Sequence, residues 1–185
     1  LKEAIVNYIA LLGWAPGDER EKFTMAELEE AFNVKGISKS PAIFDEKKLA
    51  WLNGEYIREL SAEAFHELAL PYYEGVSTNP DIDLKLVSEL LQPRCEKLSD
   101  IPEQVDFFDA LPEYENELYT HKKMKTDPEN SLDALKAVVP VLEGIEDWTK
   151  ENIHDSLIAL VEKLETKNGK ILWPVRVAVS GKAFT

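Results

Sequence analysis

The run Ile171-Leu172-Trp173-Pro174-Val175-Arg176-Val177-Ala178-Val179-Ser180 decides the fold class of this chain. By propensity Ile171, Leu172, Val175, Val177 and Val179 favour a strand. A lone strand is poorly stabilised, and no other run in the sequence offers it a partner. Pro174 also suits the first turn of a helix, where its missing N–H costs nothing. Helix is the reading adopted, and it makes the chain all-α.

Working outward, the other segments carry helix signals of their own. Ala4, Ile5, Tyr8, Ile9, Leu11 and Leu12 fall on one helical face, and Gly13 suits its end. Trp14-Ala15-Pro16-Gly17-Asp18 reads as a turn. Thr24 with Glu27 forms a capping box ahead of a helix from Met25 to Phe32. Asp45 caps a helix from Glu46, and Asn53-Gly54 is expected to interrupt or end it. Ser61 caps Ala62 to Leu70, where Pro71 is expected to stop the helix. Tyr72 to Pro80, rich in Gly, Ser, Thr, Asn and Pro, is the best linker candidate. Asp81 or Asp83 opens a helix reaching Cys95 to Leu98, kinked or broken at Pro93. A helix is expected around Pro102 to Ala110, and another over Ser131 to Leu142 with Pro140 near its end. Thr149 caps an amphipathic helix with Ile153, Leu157, Leu160, Val161 and Leu164 on one face, and Asn168-Gly169 reads as its stop.

Composition bounds the function. The 185 residues fit one large domain or two to three small ones, and 44% hydrophobic content suffices for a core. The net charge of −14 repels nucleic acid at long range, because phosphate neutralisation by Lys and Arg dominates such affinity. The distribution is less hostile than the sum. Residues 166 to 185 hold Lys167, Lys170, Arg176 and Lys182 and no acid, and residues 33 to 42 hold Lys35 and Lys39 and no acid. As isolated features these lysines equally fit an ordinary solvated surface. The single cysteine, Cys95, allows no disulfide within the chain, which points to a reducing, cytoplasmic setting and a buried structural thiol. No apolar run approaches membrane-spanning length, so no membrane partner is expected. Both termini read as cut ends.

Catalytic constellations are not apparent. His66, His121 and His154 are far apart and lack neighbouring ligands at metal spacing, so no metal is expected. No Gly-rich phosphate loop is present. Glu29-Glu30 and the pair Asp106 and Asp109 read as solvated helix faces. Trp51 and Tyr56 read as core residues.

Three segments carry a family resemblance. Asn7-Tyr8-Ile9-Ala10-Leu11-Leu12-Gly13-Trp14 is the first. Gly36-Ile37-Ser38-Lys39-Ser40-Pro41-Ala42-Ile43-Phe44-Asp45, with Lys48-Leu49-Ala50-Trp51-Leu52-Asn53-Gly54-Glu55-Tyr56-Ile57-Arg58, is the second. Pro174-Val175-Arg176-Val177-Ala178-Val179-Ser180-Gly181 is the third. In this order they resemble the C-terminal, tRNA-reading half of bacterial glutamyl-tRNA synthetases. Ser38-Lys39-Ser40 is similar to the nucleotide-binding signature of class I synthetases but lacks its preceding Lys-Met.

The resemblance implies an all-α, elongated array of small helical bundles of the class I anticodon-binding type, and it supports the helical reading of Lys170 to Ser180. It implies a stem-contact region at 1–60, a first anticodon-binding subdomain at 61–115, and a second, incomplete one at 116–185. Family members join glutamate to tRNA(Glu) using ATP and magnesium. This fragment is expected to hold neither cofactor, to have no catalytic residues, and to be inactive without the N-terminal catalytic domain of the same chain. The expected partner is tRNA(Glu), and the expected state is a monomer. Arg94, within Leu91-Gln92-Pro93-Arg94, matches the arginine that faces the third anticodon base, and Arg176 and Thr185 match contacts to the other bases. Lys39, Lys48, Asn53 and Lys182 are further candidate tRNA contacts, with Asn53-Gly54 shaping a turn. For Arg94 the competing role is a helix-end cation neutralising Glu89 or Glu96. The competing function is an acidic helical protein-interaction module without RNA binding.

Overall fold

The computed structural model describes residues 1–74 and 79–184. Nine α-helices are present among them: α1 Lys2–Gly13, α2 Met25–Ala31, α3 Glu46–Arg58, α4 Ala62–Tyr73, α5 Leu84–Leu91, α6 Ile101–Val105, α7 Pro128–Glu143, α8 Lys150–Lys163 and α9 Asn168–Ser180. No strand element occurs among the described residues, only two isolated bridges, Trp14 with Ile37 and His121 with Thr126. The fold is all-α, as the sequence indicates. The chain divides into two compact units, Leu1–Glu103 and Gln104–Thr185.

In the first unit α1 packs on α2 and α3, and α4 packs on α5. Local signals set most boundaries. Thr24 and Glu27 form the reciprocal capping box that opens α2. Asp45 accepts from the amides of Lys47 and Lys48 to open α3, and Ser61 accepts from Ala64 to open α4. Trp14, Phe23 and Leu28 close a small apolar cluster with Ala10, Leu11 and Ala31.

The Gly36-Ile37-Ser38 segment is stapled to the end of α1. The Ala15 amide donates to the Gly36 carbonyl at 2.9 Å and the Ser38 amide to Gly13 at 2.9 Å. A side chain at Gly36 would overlap the Ala15 carbonyl and the Trp14 indole, so only glycine permits this approach.

A buried polar centre ties α1, the following loop and α3 together. Asn7 is fully buried, and its Oδ1 accepts from the Phe23 amide and the Tyr56 hydroxyl, each at 2.7 Å. Its Nδ2 donates to the Glu21 carbonyl at 3.0 Å. The Tyr56 hydroxyl also reaches the Phe23 carbonyl at 2.5 Å.

In the second unit α7 packs on both α8 and α9. Ala134, Val138, Leu157, Leu160, Val161 and Ile171 form its core, with Ile153, Leu172 and Val175 against it. The Trp173 indole donates to the Leu118 carbonyl at 3.1 Å, pinning the 3₁₀ turn Asn116–Tyr119 to α9.

Several sequence expectations are corrected. Asn53-Gly54 does not break α3, which runs on to Arg58. Asn53 instead donates to the Glu96 carbonyl at 2.6 Å and accepts from the main-chain nitrogen of Leu1 at 2.5 Å, so it cross-links the helix from within. Trp51 is not core but 41% exposed, because Ala50, Leu52, Gly54 and Ile57 take the buried side of α3. Pro71 lies inside α4, whose last turn is retained by burial of Tyr73 and its 2.8 Å hydroxyl contact with Ser88.

At Pro93 the chain breaks rather than kinks: α5 ends at Leu91 and a 3₁₀ turn, Gln92–Arg94, follows. The helix expected over Pro102 to Ala110 is only Ile101–Val105 plus one 3₁₀ turn. α7 begins earlier than expected, capped reciprocally by Asp127 and Asn130. Pro174 sits in the second turn of α9 rather than its first, which removes one interior hydrogen bond from a helix held by its buried face. Of the expected linker, residues 75–78 lie outside the described residues. Asn79 caps the turn beyond them, accepting from the Asp81 amide at 3.0 Å.

Asn168-Gly169 opens α9 instead of ending α8. The actual stop is a Schellman motif: the Thr166 amide donates to Val161 at 3.1 Å and the Glu165 amide to Glu162 at 3.0 Å. Glu165 takes the left-handed position with φ 48°, where a side chain is disfavoured. Leu164, expected on the buried face, is the C-cap and is half-exposed.

Two stability outcomes follow from this geometry. Asn7→Ala leaves the Phe23 amide and the Glu21 carbonyl without partners and should lower unfolding stability by about 2–4 kcal/mol in urea denaturation; a loss below about 0.5 kcal/mol contradicts the central role given to the Asn7 network. Glu165→Gly should act in the opposite sense. Relief of the left-handed strain, offset by glycine's greater unfolded-state freedom, should raise stability by about 0.5–1 kcal/mol, read as an upward shift in melting temperature.

Candidate nucleic-acid interface

Arg94 is the last residue of the 3₁₀ turn Gln92–Arg94, and its side chain is exposed. The turn beneath it is firmly held. The Gln92 side-chain amide donates to the Ile57 carbonyl at 3.0 Å and the Leu60 carbonyl at 2.8 Å. Ile57 is in the last turn of α3 and Leu60 lies just beyond its end, so Gln92 ties the end of that helix to the turn. Arg58 adds a contact to the Pro93 carbonyl at 3.4 Å. Leu91 and Cys95, on either side of the turn, are buried. A long cation therefore projects to solvent from a backbone fixed on both flanks. Sequence alone gives Gln92 no role beyond its place beside Arg94. Its role depends on carbonyls more than thirty residues away, which no local pattern encodes.

Burial pushes the Cys95 thiol up to about 11. At neutral pH it is protonated and packed, which suits the structural role inferred from sequence and not a nucleophile.

In the second unit Arg176 lies on the exposed side of α9, opposite the buried Ile171, Trp173 and Val177. Its guanidinium donates to the Ala183 carbonyl at 3.3 Å. Gly181 ends α9 in the left-handed conformation with φ 64°, and its amide donates to Val177 at 2.8 Å. A side chain at Gly181 would collide with Pro112 and Tyr114, so the chain turns sharply there. Lys182 follows and pairs with Asp106 at 2.5 Å, half-buried. Thr185 lies outside the described residues.

The remaining candidates differ in availability. Lys39 is exposed in the loop after Ile37 and is in no ion pair among the described residues. Lys48 pairs with Glu21 at 2.5 Å. Asn53 uses both ends of its amide within the fold. Among the described residues no group of His, Cys, Asp and Glu is placed to hold a metal ion, and no helix is long and apolar enough to cross a membrane.

Both units are all-helical among the described residues, the fold of a helical binding domain of the class described by the family that this chain matches. The chain belongs to the anticodon binding domain family, whose model matches residues 64–185. Residues 1–51 match the catalytic-domain model of class I tRNA synthetases (E and Q), so a short piece of that domain is present as well.

The chain is 62% identical over 185 residues to the glutamate–tRNA ligase of Clostridium tetani (strain Massachusetts / E88), covering all of this chain and 38% of that protein. It is 55% identical over 185 residues to the glutamate–tRNA ligase of Clostridium acetobutylicum, again covering 38% of it. Among solved structures, the glutamate-tRNA synthetase from Elizabethkingia anophelis superposes with a TM-score of 0.76 at 25% identity, covering 100% of this chain and 36% of that one. The glutamate tRNA ligase from Elizabethkingia meningosepticum, solved in complex with its amino acid, gives 0.73 at 26%, covering 99% and 36%. The chain thus spans about 38% of the length of the curated relatives it matches.

The anchoring of the Arg94 turn is testable in the chain itself. Gln92→Ala should lower stability by about 1–2 kcal/mol, because the Ile57 and Leu60 carbonyls lose their shared donor. Urea denaturation checks this, and an unchanged midpoint would mean that the turn is held without Gln92.

Proposed function

We propose that the chain is the tRNA(Glu)-recognising, anticodon-binding part of a glutamate–tRNA ligase. The whole enzyme attaches glutamate to tRNA(Glu) with ATP and magnesium, at a site built by the catalytic domain outside residues 52–185. The observation that carries this reading is 62% identity to a glutamate–tRNA ligase along the entire chain. In this proposal residues 1–60 meet the tRNA stem, 61–115 form the first anticodon-binding subdomain and 116–185 the second. The enzyme acts as a cytoplasmic monomer.

Arg94, Arg176 and Thr185 are the proposed anticodon readers, with Lys39, Lys48, Asn53 and Lys182 as further contacts. Specificity at the third anticodon base follows from donor and acceptor chemistry. Cytosine presents the acceptors O2 and N3 on its pairing edge, whereas guanine presents an N1–H donor there. A guanidinium offers only donors, so it satisfies the first and leaves an unpaired donor against the second. The fixed 3₁₀ turn supports this role, because a cation on a mobile loop discriminates poorly.

The test uses the complete enzyme and two transcripts differing only at the third anticodon base. Arg94→Gln should narrow the preference for C over G in kcat/KM by about 1–3 kcal/mol, since glutamine can also accept from guanine N1–H. A role confined to neutralising Glu89 or Glu96 predicts a small stability loss and an unchanged C-to-G ratio.

A further inference from the structure

The turn from His121 to Thr126 carries Lys122, Lys123 and Lys125, all exposed, and no acid. It is closed by reciprocal main-chain hydrogen bonds between His121 and Thr126 at 3.1 and 3.3 Å. The Met124 amide also donates to His121 Nδ1 at 3.2 Å, and Asn130 Nδ2 to the Lys125 carbonyl at 3.4 Å.

This turn sits on the start of α9. A methyl group built on Gly169 would lie 2.5 Å from Met124 Sδ and 3.1 Å from its Cβ, and the His121 and Trp173 rings are 4.2 Å apart. Lys167, the N-cap of α9, and Lys170, in its first turn, flank Gly169. Five lysines therefore lie in the two short segments that meet at Gly169.

This arrangement works against the fold. Like charges repel, and the amino end of a helix favours an anion, yet the first turn of α9 holds no acid and its N-cap side chain makes no capping bond. Several other cations are held by carboxylates, Lys48 by Glu21, Arg58 by Glu55 and Lys182 by Asp106. None of the five lysines is in an ion pair among the described residues. The acids that border these segments in sequence are Asp127 and Glu129 after the turn and Glu162 and Glu165 before α9; Asp127 is engaged by Asn130 as the cap of α7.

We propose that Lys122, Lys123, Lys125, Lys167 and Lys170 form a contact surface for the phosphate backbone of RNA. The inference rests on the tRNA-binding reading and gives it an electrostatic seat: these side chains hold the strand without reading bases, and the arginines discriminate. The surface also eases the charge problem, because phosphate contacts act within roughly 10 Å at physiological salt and so respond to the local balance of charge more than to the net charge of the chain.

The test is the salt dependence of binding by the full chain to a tRNA(Glu) transcript, followed between about 50 and 200 mM salt. K122Q/K123Q/K167Q removes three exposed charges, and circular dichroism verifies that it folds. It should weaken binding and lower the slope of log affinity against log salt by about 2–3, the release expected for three phosphate contacts. K136Q removes an exposed lysine of α7 that pairs with Asp133 at 3.7 Å, and should leave the slope unchanged. A wild-type slope retained by the triple variant overturns the inference while the tRNA-binding reading stands. An equal drop in K136Q overturns it too, since the effect would then be net charge alone. Absence of binding by the wild-type chain at 50 mM salt overturns the reading beneath it.

Discussion

Asn7 has no exposed surface, and the first unit depends on how its amide is satisfied. A buried amide without partners is costly, so its neighbours must supply two donors and an acceptor in fixed places. The Phe23 amide, the Tyr56 hydroxyl and the Glu21 carbonyl do so, and in doing so they lock the loop after α1 and the second half of α3. The consequence reaches the turn that carries Arg94. The end of α3 presents the Ile57 and Leu60 carbonyls to Gln92, and Gln92 holds the turn from which Arg94 projects. A polar contact in the interior is thus linked through one helix to an exposed cation.

Charge is the second constraint. At −14 the chain repels a polyanion at a distance, and exposed ion pairs contribute little stability of their own. What matters is where the acids neutralise cations and where they do not. Lys48, Arg58 and Lys182 are each matched by a carboxylate within their own unit. The turn at 121–126 and the start of α9 are not, and Lys39 remains unpaired among the described residues as well. An acidic protein can meet RNA where several unmatched cations lie close in the fold without an intervening acid.

Much of the fold was legible in the sequence because the deciding signals are local. The Thr24 and Glu27 capping box, the Asp45, Ser61 and Thr149 caps and the amphipathic face of α8 all involve residues three or four apart. The misreadings share the opposite cause. Asn53-Gly54, Asn168-Gly169 and Pro71 carry breaker chemistry, but Glu96, Met124 and Ser88 decide their fate from across the fold. Trp51 was misplaced because its size suggests a core residue while its helical phase directs it outward. Arg94 and Arg176 could be singled out by motif, whereas Gln92 and the lysines of the 121–126 turn could not. Gln92 acts on carbonyls more than thirty residues away, and the 121–126 turn meets the start of α9 through Met124 and Gly169.

The proposal that this chain grips the anticodon of tRNA(Glu) is tested most directly by a chemical footprint. Dimethyl sulfate methylates cytosine at N3, the acceptor that the Arg94 guanidinium is proposed to engage. In a low-salt complex of the chain with a tRNA(Glu) transcript, the cytosine at the third anticodon position should be protected while unpaired bases remote from the anticodon stay reactive. Bound tRNA with an anticodon as reactive as in the free transcript would contradict the account.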